Sequence, residues 1–103
     1  MDFNHFLTSY MPDPNVGSKI HFKNMVDQSI LAEKLGYKTV SIPEHHLINL
    51  LMMPSPLQMA VKISSLTKHI SISTSVAVLP LHDMRTYAGE VSTADILTDG
   101  RLI

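Results

Sequence analysis

Strand-like and helix-like stretches alternate along this chain, and the strand-like ones recur roughly every 30 residues, the length of one strand, one helix and two loops. That rhythm constrains the fold more than anything else here, because strands separated by a helix pair in parallel through right-handed crossovers. Phe3 to Leu7 is a short apolar run that enters the turn-rich stretch Ser9 to Asn15. From Ser18, residues Phe22, Met25, Val26, Ser29, Ala32 and Leu35 step by threes and fours up to Gly36, which predicts a first helix. Tyr37 to Ile42 is rich in β-branched and aromatic residues and is stopped by Pro43, which predicts a second strand. After a loop from Glu44 to Pro54, Ser55-Pro56 offers an N-cap and a proline at the first helical position. The helix that follows runs to about Lys68, with Leu57, Ala60, Val61, Ser64 and Ser65 at helical spacing.

The third strand is the plainest, since Ile70, Ile72, Thr74, Val76 and Val78 alternate with the smaller Ser71, Ser73, Ser75 and Ala77. With helices packed outside, the branched face lies beneath them and the small face turns to a barrel axis or a flat ligand; the reverse orientation is also open. A third helix, Met84 to Leu97, ends at Asp99-Gly100, and Arg101-Leu102-Ile103 begins another strand, giving the order βαβαβαβ. Both a doubly wound sheet and a barrel begin this way. The loop after the first strand, Ser9 to Asn15, holds no glycine, so the glycine-rich phosphate turn of a dinucleotide fold is missing and the barrel is favoured.

At 103 residues the chain fits one domain at most. A chain of this size removes about 60 to 65% of its unfolded surface from water, so a spacious site needs more protein. A net charge of -1, with the lysines dispersed, leaves no electrostatic footprint for nucleic acid or a membrane surface. Without cysteine there is neither a disulfide nor thiolate chemistry. The acidic start Met1-Asp2-Phe3-Asn4 does not read as a secretory signal, which makes a cytoplasmic location the expectation.

In either α/β architecture chemistry sits at the C-terminal ends of the strands, which points to Thr8-Ser9-Tyr10, to Glu44-His45-His46 and to Leu79-Pro80-Leu81-His82. The second carries the most chemistry: an imidazole takes or gives a proton near neutrality, and a neighbouring carboxylate fixes its tautomer. Adjacent loop histidines also serve as plain surface groups or hydrogen-bonders. A metal site is not expected, because neighbouring side chains on an extended segment point apart and no third ligand has the right spacing.

Ile42-Pro43-Glu44-His45-His46, Pro54-Ser55-Pro56, Leu79-Pro80-Leu81-His82-Asp83 and Asp95 to Arg101 resemble, in order and spacing, the bacterial luciferase-like flavin monooxygenase family. Phe3 to Pro12 is similar to it as well. Asn4 stands where that family has glycine, Met84 where it has proline, and Gly89 where its third helix has a glutamate. The resemblance implies the N-terminal part of a (β/α)8 TIM barrel, incomplete in this chain because such barrels take about 250 residues. Residues 1–103 would be the N-terminal segment of a single barrel domain.

The resemblance further implies reduced FMN and O2 oxygenating a small organic substrate, with a flavin reductase as the source of reduced FMN; some relatives use a deazaflavin for hydride transfer instead. His45 matches the family's catalytic histidine, with Glu44 orienting it and His46 packing beside it. Thr8, Ser75 and Val76 are the implied flavin contacts, and Ser75-Val76 falls where the family often has a non-prolyl cis peptide beneath the ring. A homo-oligomer is implied for the full-length protein. The competing expectation is a non-catalytic segment that needs the rest of the barrel, since family phosphate-binding groups lie beyond these residues.

Overall fold

A computed structural model describes the whole chain, Met1–Ile103. Three parallel strands lie in the order β1 (Asn4–Phe6), β2 (Thr39–Ile42) and β3 (Ser71–Thr74). Helices α1 (Ser18–Lys34) and α2 (Pro56–Ser64) make the crossovers, and α3 (Met84–Leu97) follows β3. Beyond α3, Leu102 forms a parallel bridge to Ile72, fixed by hydrogen bonds of 2.8 Å on either side. The fourth strand predicted from Arg101 to Ile103 is therefore present as one rung on the free side of β3. No helix is long and apolar enough to cross a membrane.

Register decides which face is which. His5, Val40 and Ile72 stand in one row across the sheet, and Phe6, Ser41 and Ser73 in the next. Val40 and Ile72 are fully buried in one cluster with Met25, Val26, Ala60 and Ile63 of the helices, and His5 Nε2 lies 3.2 Å from Gln28 Oε1 of α1. The branched residues thus lie under the helices, as the first of the two orientations had it. The other face carries Asn4, Phe6, Thr39, Ser41, Ser71 and Ser73, where Asn4 Nδ2 donates to Ser41 Oγ at 2.8 Å.

The predicted helices form with local differences, among them that α2 ends at Ser64 and does not run on to about Lys68. Leu35 does not join the buried stripe of α1, because the helix ends at Lys34 and Leu35 becomes its exposed C-cap. In α2 the buried face is Pro56, Met59, Ala60, Ile63 and Ser64, one step round from the predicted stripe, because Leu57 and Val61 turn toward α3 and line the groove between the two helices. Proline does open α2, but the Ser55 side chain makes no cap hydrogen bond. Asp83 does cap α3, accepting from the Arg85 N–H at 3.0 Å. Gly89 on α3 has open space where a Cβ would stand.

Two charged side chains fasten the ends at which the strands begin. Arg101 donates to Ser64 O at 2.7 Å, Thr67 Oγ1 at 3.0 Å and Thr98 O at 3.0 Å, bracing the α2–β3 junction to the turn between α3 and the Leu102 rung. Glu33, in the last turns of α1, accepts through Oε1 from the backbone N–H groups of Lys68, His69 and Ile70 at 2.9, 2.6 and 2.9 Å. Burial pushes the Glu33 carboxyl up, but the backbone donors at His69, Ile70 and Lys68 outweigh it and hold the group below its ordinary value. A carboxyl lowered in the folded state adds stability that is complete above about pH 4.3 and is lost as the pH falls through the folded value. Urea unfolding between about pH 5 and pH 3 should therefore show a smaller loss of stability for Glu33→Gln than for the native protein. Equal losses would remove the charge from this role.

Candidate functional site

The three strands deliver their C-terminal ends to one rim. The Leu7 N–H bonds Ser41 O at 2.9 Å and the Ser75 N–H bonds Ile42 O at 2.7 Å, so Thr8, the Pro43–His46 segment and Ser75-Val76 leave the sheet side by side. Their loops are also stitched together. Met11 N–H to Leu50 O at 2.8 Å and Met52 N–H to Ser9 O at 2.9 Å join the β1 loop to the β2 loop. His45 N–H to Met53 O at 2.9 Å closes the base of residues 45–53, with Met53 buried beneath.

Glu44 is the hub of the rim. Its side chain has no exposed surface, a state a carboxylate tolerates only with donors around it. Oε1 meets His46 Nε2 at 2.6 Å and His82 Nε2 at 2.7 Å, while Oε2 accepts from the Val78 N–H at 2.7 Å. Burial pushes this carboxyl up, yet the hydrogen bonds from His46, Val78 and His82 more than offset that and leave it below the ordinary glutamate value. An ionised carboxylate only accepts, so both imidazoles donate through Nε2–H. The His82 ring stacks on Tyr87 of α3, with centroids 4.1 Å apart and planes at 24°. Burial, then the Glu44 and Glu90 carboxylates, raises Tyr87 above its ordinary value, so its hydroxyl stays protonated.

This corrects the packing role expected for His46 and narrows how Glu44 can orient His45. Glu44 does not hydrogen-bond the His45 ring, and His46 is its direct partner instead of a packing residue. The cause is the two-residue period of an extended segment, which puts 44 and 46 on one side and 45 on the other. His82 and Tyr87 were not foreseen as partners. The signal for His82 lay in its own motif, but the 38 positions between it and Glu44 close only on folding.

The other named residues lie nearby without forming a hydrogen-bonded cluster. The His45 ring is half-buried and makes no hydrogen bond within the chain. Thr8 is exposed, its Oγ1 accepting from the Tyr10 N–H at 3.2 Å. The Ser75-Val76 peptide is cis, Ser75 is half-buried, and Val76 is 69% exposed. Val76 therefore leaves the buried branched row predicted for it, because the ladder stops at Thr74. Arg101 braces the opposite end of the sheet, and Glu90 is exposed on α3.

A flavin ring is flat and edged with hydrogen-bonding atoms, and the hydroxyl and imidazole groups at this rim are of the kind that would hold one. On the face away from the helices the row nearest the rim is Phe6, Ser41 and Ser73, and exposed Thr8 and half-buried His45 follow the ends of β1 and β2. Neither lysine nor arginine is among these residues, so they would hold the ring and leave a phosphate to other groups.

A family model for luciferase-like monooxygenases matches residues 1–103. The chain is 33% identical over 102 residues to uncharacterized protein y4vJ of Sinorhizobium fredii, covering 99% of this chain and 29% of that protein. It is 28% identical over 81 residues to the oxygenase component of a flavin-dependent trigonelline monooxygenase from Acinetobacter baylyi, covering 79% of this chain and 22% of that one. Among solved structures, the oxygenating constituent of 3,6-diketocamphane monooxygenase from Pseudomonas putida, in complex with FMN, superposes with a TM-score of 0.92 at 19% identity. That match takes in all of this chain and 28% of the solved one, so the fold here is part of such a barrel. The chain spans less than a third of the length of each of these proteins.

Proposed function

Since the chain belongs to the luciferase-like monooxygenase family, we propose that it supplies the histidine loop and part of the flavin bed of an enzyme that uses reduced FMN and O2 to oxygenate a small organic substrate. The observation that carries this reading is the rim itself: Thr8, His45 and Ser75-Val76 converge at the ends of three adjacent parallel strands. Residues 1–103 belong on this reading to a single barrel domain.

Bound reduced flavin supplies the electrons that activate oxygen; the chain's residues position, shield and move protons. Small side chains on the open sheet face let a ring approach the backbone. The alternation that turns Ile42 and Glu44 toward the helices turns Ser41 and His45 toward that same open face. There the His45 imidazole, free of internal partners, accepts or donates a proton at the ring edge. Its amide, bound to Met53 O at 2.9 Å, holds the residue in place. The relative named as an oxygenase component supports a separate reductase as the source of reduced FMN.

The test uses the whole protein. Titration with FMN and with reduced FMN should quench flavin fluorescence and shift flavin absorbance; no change with either form sinks the flavin assignment, and a response only to a deazaflavin moves it to hydride transfer. His45→Ala should bind reduced FMN but release peroxide instead of oxygenated product, with productive turnover down by about 100-fold or more. Unaltered coupled turnover would take His45 out of its role.

A further inference from the structure

We propose that His82 is a positioning residue for this site, acting through Glu44 to fix the backbone that presents His45. The proposal rests on the flavin reading above and extends it to a residue on a different loop. Its physical basis is a linked set of five contacts. Tyr87, buried on α3, stacks against the His82 ring at 4.1 Å and restricts its rotation. His82 Nε2 meets Glu44 Oε1 at 2.7 Å, and the same oxygen takes His46 Nε2 at 2.6 Å. The other oxygen takes the Val78 N–H at 2.7 Å, three residues after Ser75. Glu44 is joined by one peptide bond to His45, whose N–H is pinned to Met53 O at 2.9 Å.

The consequence is geometric. With the Glu44 side chain enclosed and held from three directions, the peptide between Glu44 and His45 has one orientation, and the His45 ring is aimed by it. The same carboxylate binds the β2 loop to the β3–α3 loop, so the histidine and the Ser75-Val76 backbone keep a fixed separation. Without the His82 donor, Glu44 Oε1 retains only His46 of its own loop, and the Val78 N–H at Oε2 is the one hydrogen bond by which Glu44 still joins the β3–α3 loop. A site displaced by about 1 Å loses on the order of 100-fold in rate, so a side chain that never touches flavin controls what His45 does.

Two amide substitutions separate this role from general packing. In His82→Gln the carboxamide N–H2 reaches the place of Nε2 and can still donate to Glu44; in His82→Asn it stops near the place of Nδ1 and cannot. In the whole protein, the measured quantity is the rate at which bound reduced FMN is reoxidised by O2, followed by absorbance, which needs no substrate. His45→Ala sets the scale. His82→Asn should move the rate toward that of His45→Ala by about 10-fold or more, while His82→Gln stays within about 3-fold of the native rate. In 15N-histidine spectra the His46 Nε2–H signature should persist in His82→Gln and shift in His82→Asn. If Asn and Gln variants are equally impaired, or both match the native protein while His45→Ala differs, His82 has no positioning role. If His45→Ala leaves reoxidation unchanged, His45 has no role in the reaction and this inference falls with it, whereas the flavin assignment stands or falls on the titration above.

Discussion

Ile72→Ala is expected to cost about 3 to 4 kcal/mol of unfolding free energy, and Ile72→Val about 1 kcal/mol. Ile72 is fully buried in the middle of β3, paired with Val40 on one side and bridged to Leu102 on the other. Its side chain points beneath α2, where Ala60 and Ile63 are likewise without exposed surface. A cavity at that point cannot collapse readily, since the backbone of Ile72 bonds Arg101 O and Ile103 N–H at 2.8 Å each and holds three segments apart. Urea unfolding should show the transition midpoint falling with the slope unchanged. A cost under about 1 kcal/mol for the alanine variant would mean that the core lies elsewhere.

Glu44→Ala is expected to cost about 3 kcal/mol, and Glu44→Gln about half as much. The alanine removes the common acceptor of His46, His82 and Val78, leaving the part-buried Val78 N–H without a partner. Glutamine keeps an acceptor but gives up the charge, and its own N–H2 faces donors. Because the carboxyl is lowered in the folded protein, its contribution is present above the ordinary glutamate value near pH 4.3 and lost as the pH falls through the lower folded value. Denaturation of the native protein and of Glu44→Gln should thus converge toward acid. If they stay parallel down to about pH 3, the carboxylate charge does not stabilise the fold.

Local signals carried the architecture well where one force dominated. Asp83 at the start of α3, Gly100 just past its end and Pro56 at the first position of α2 are visible in the sequence and sit where predicted. Alternation in β3 was equally readable, up to Thr74. The buried stripe of α2 was not, because Leu57 and Val61 on one side and Met59 and Ile63 on the other are all apolar, and only packing against α1, α3 and β3 assigns each pair. At the rim, motif order located Glu44, His45 and Ser75-Val76, but adjacency in sequence misassigned the partner of Glu44. Contacts such as Glu33 with Lys68 to Ile70, separated by 35 to 37 positions, leave no local trace at all.

The bracing by Glu33 and Arg101 at the strand entrances also bears on how such a protein can change over time. Both fasteners lie at the end of the sheet opposite Thr8, His45 and Ser75, so the tolerance of the fold for alteration is unevenly distributed. The tip at Leu47, Ile48 and Leu50 projects exposed apolar side chains, beyond the Glu44 hub and far from either brace. On the proposed reading, new side chains there would meet a small molecule at the rim without loosening the sheet. Innovation in what is admitted to the rim is thereby uncoupled from the risk of unfolding.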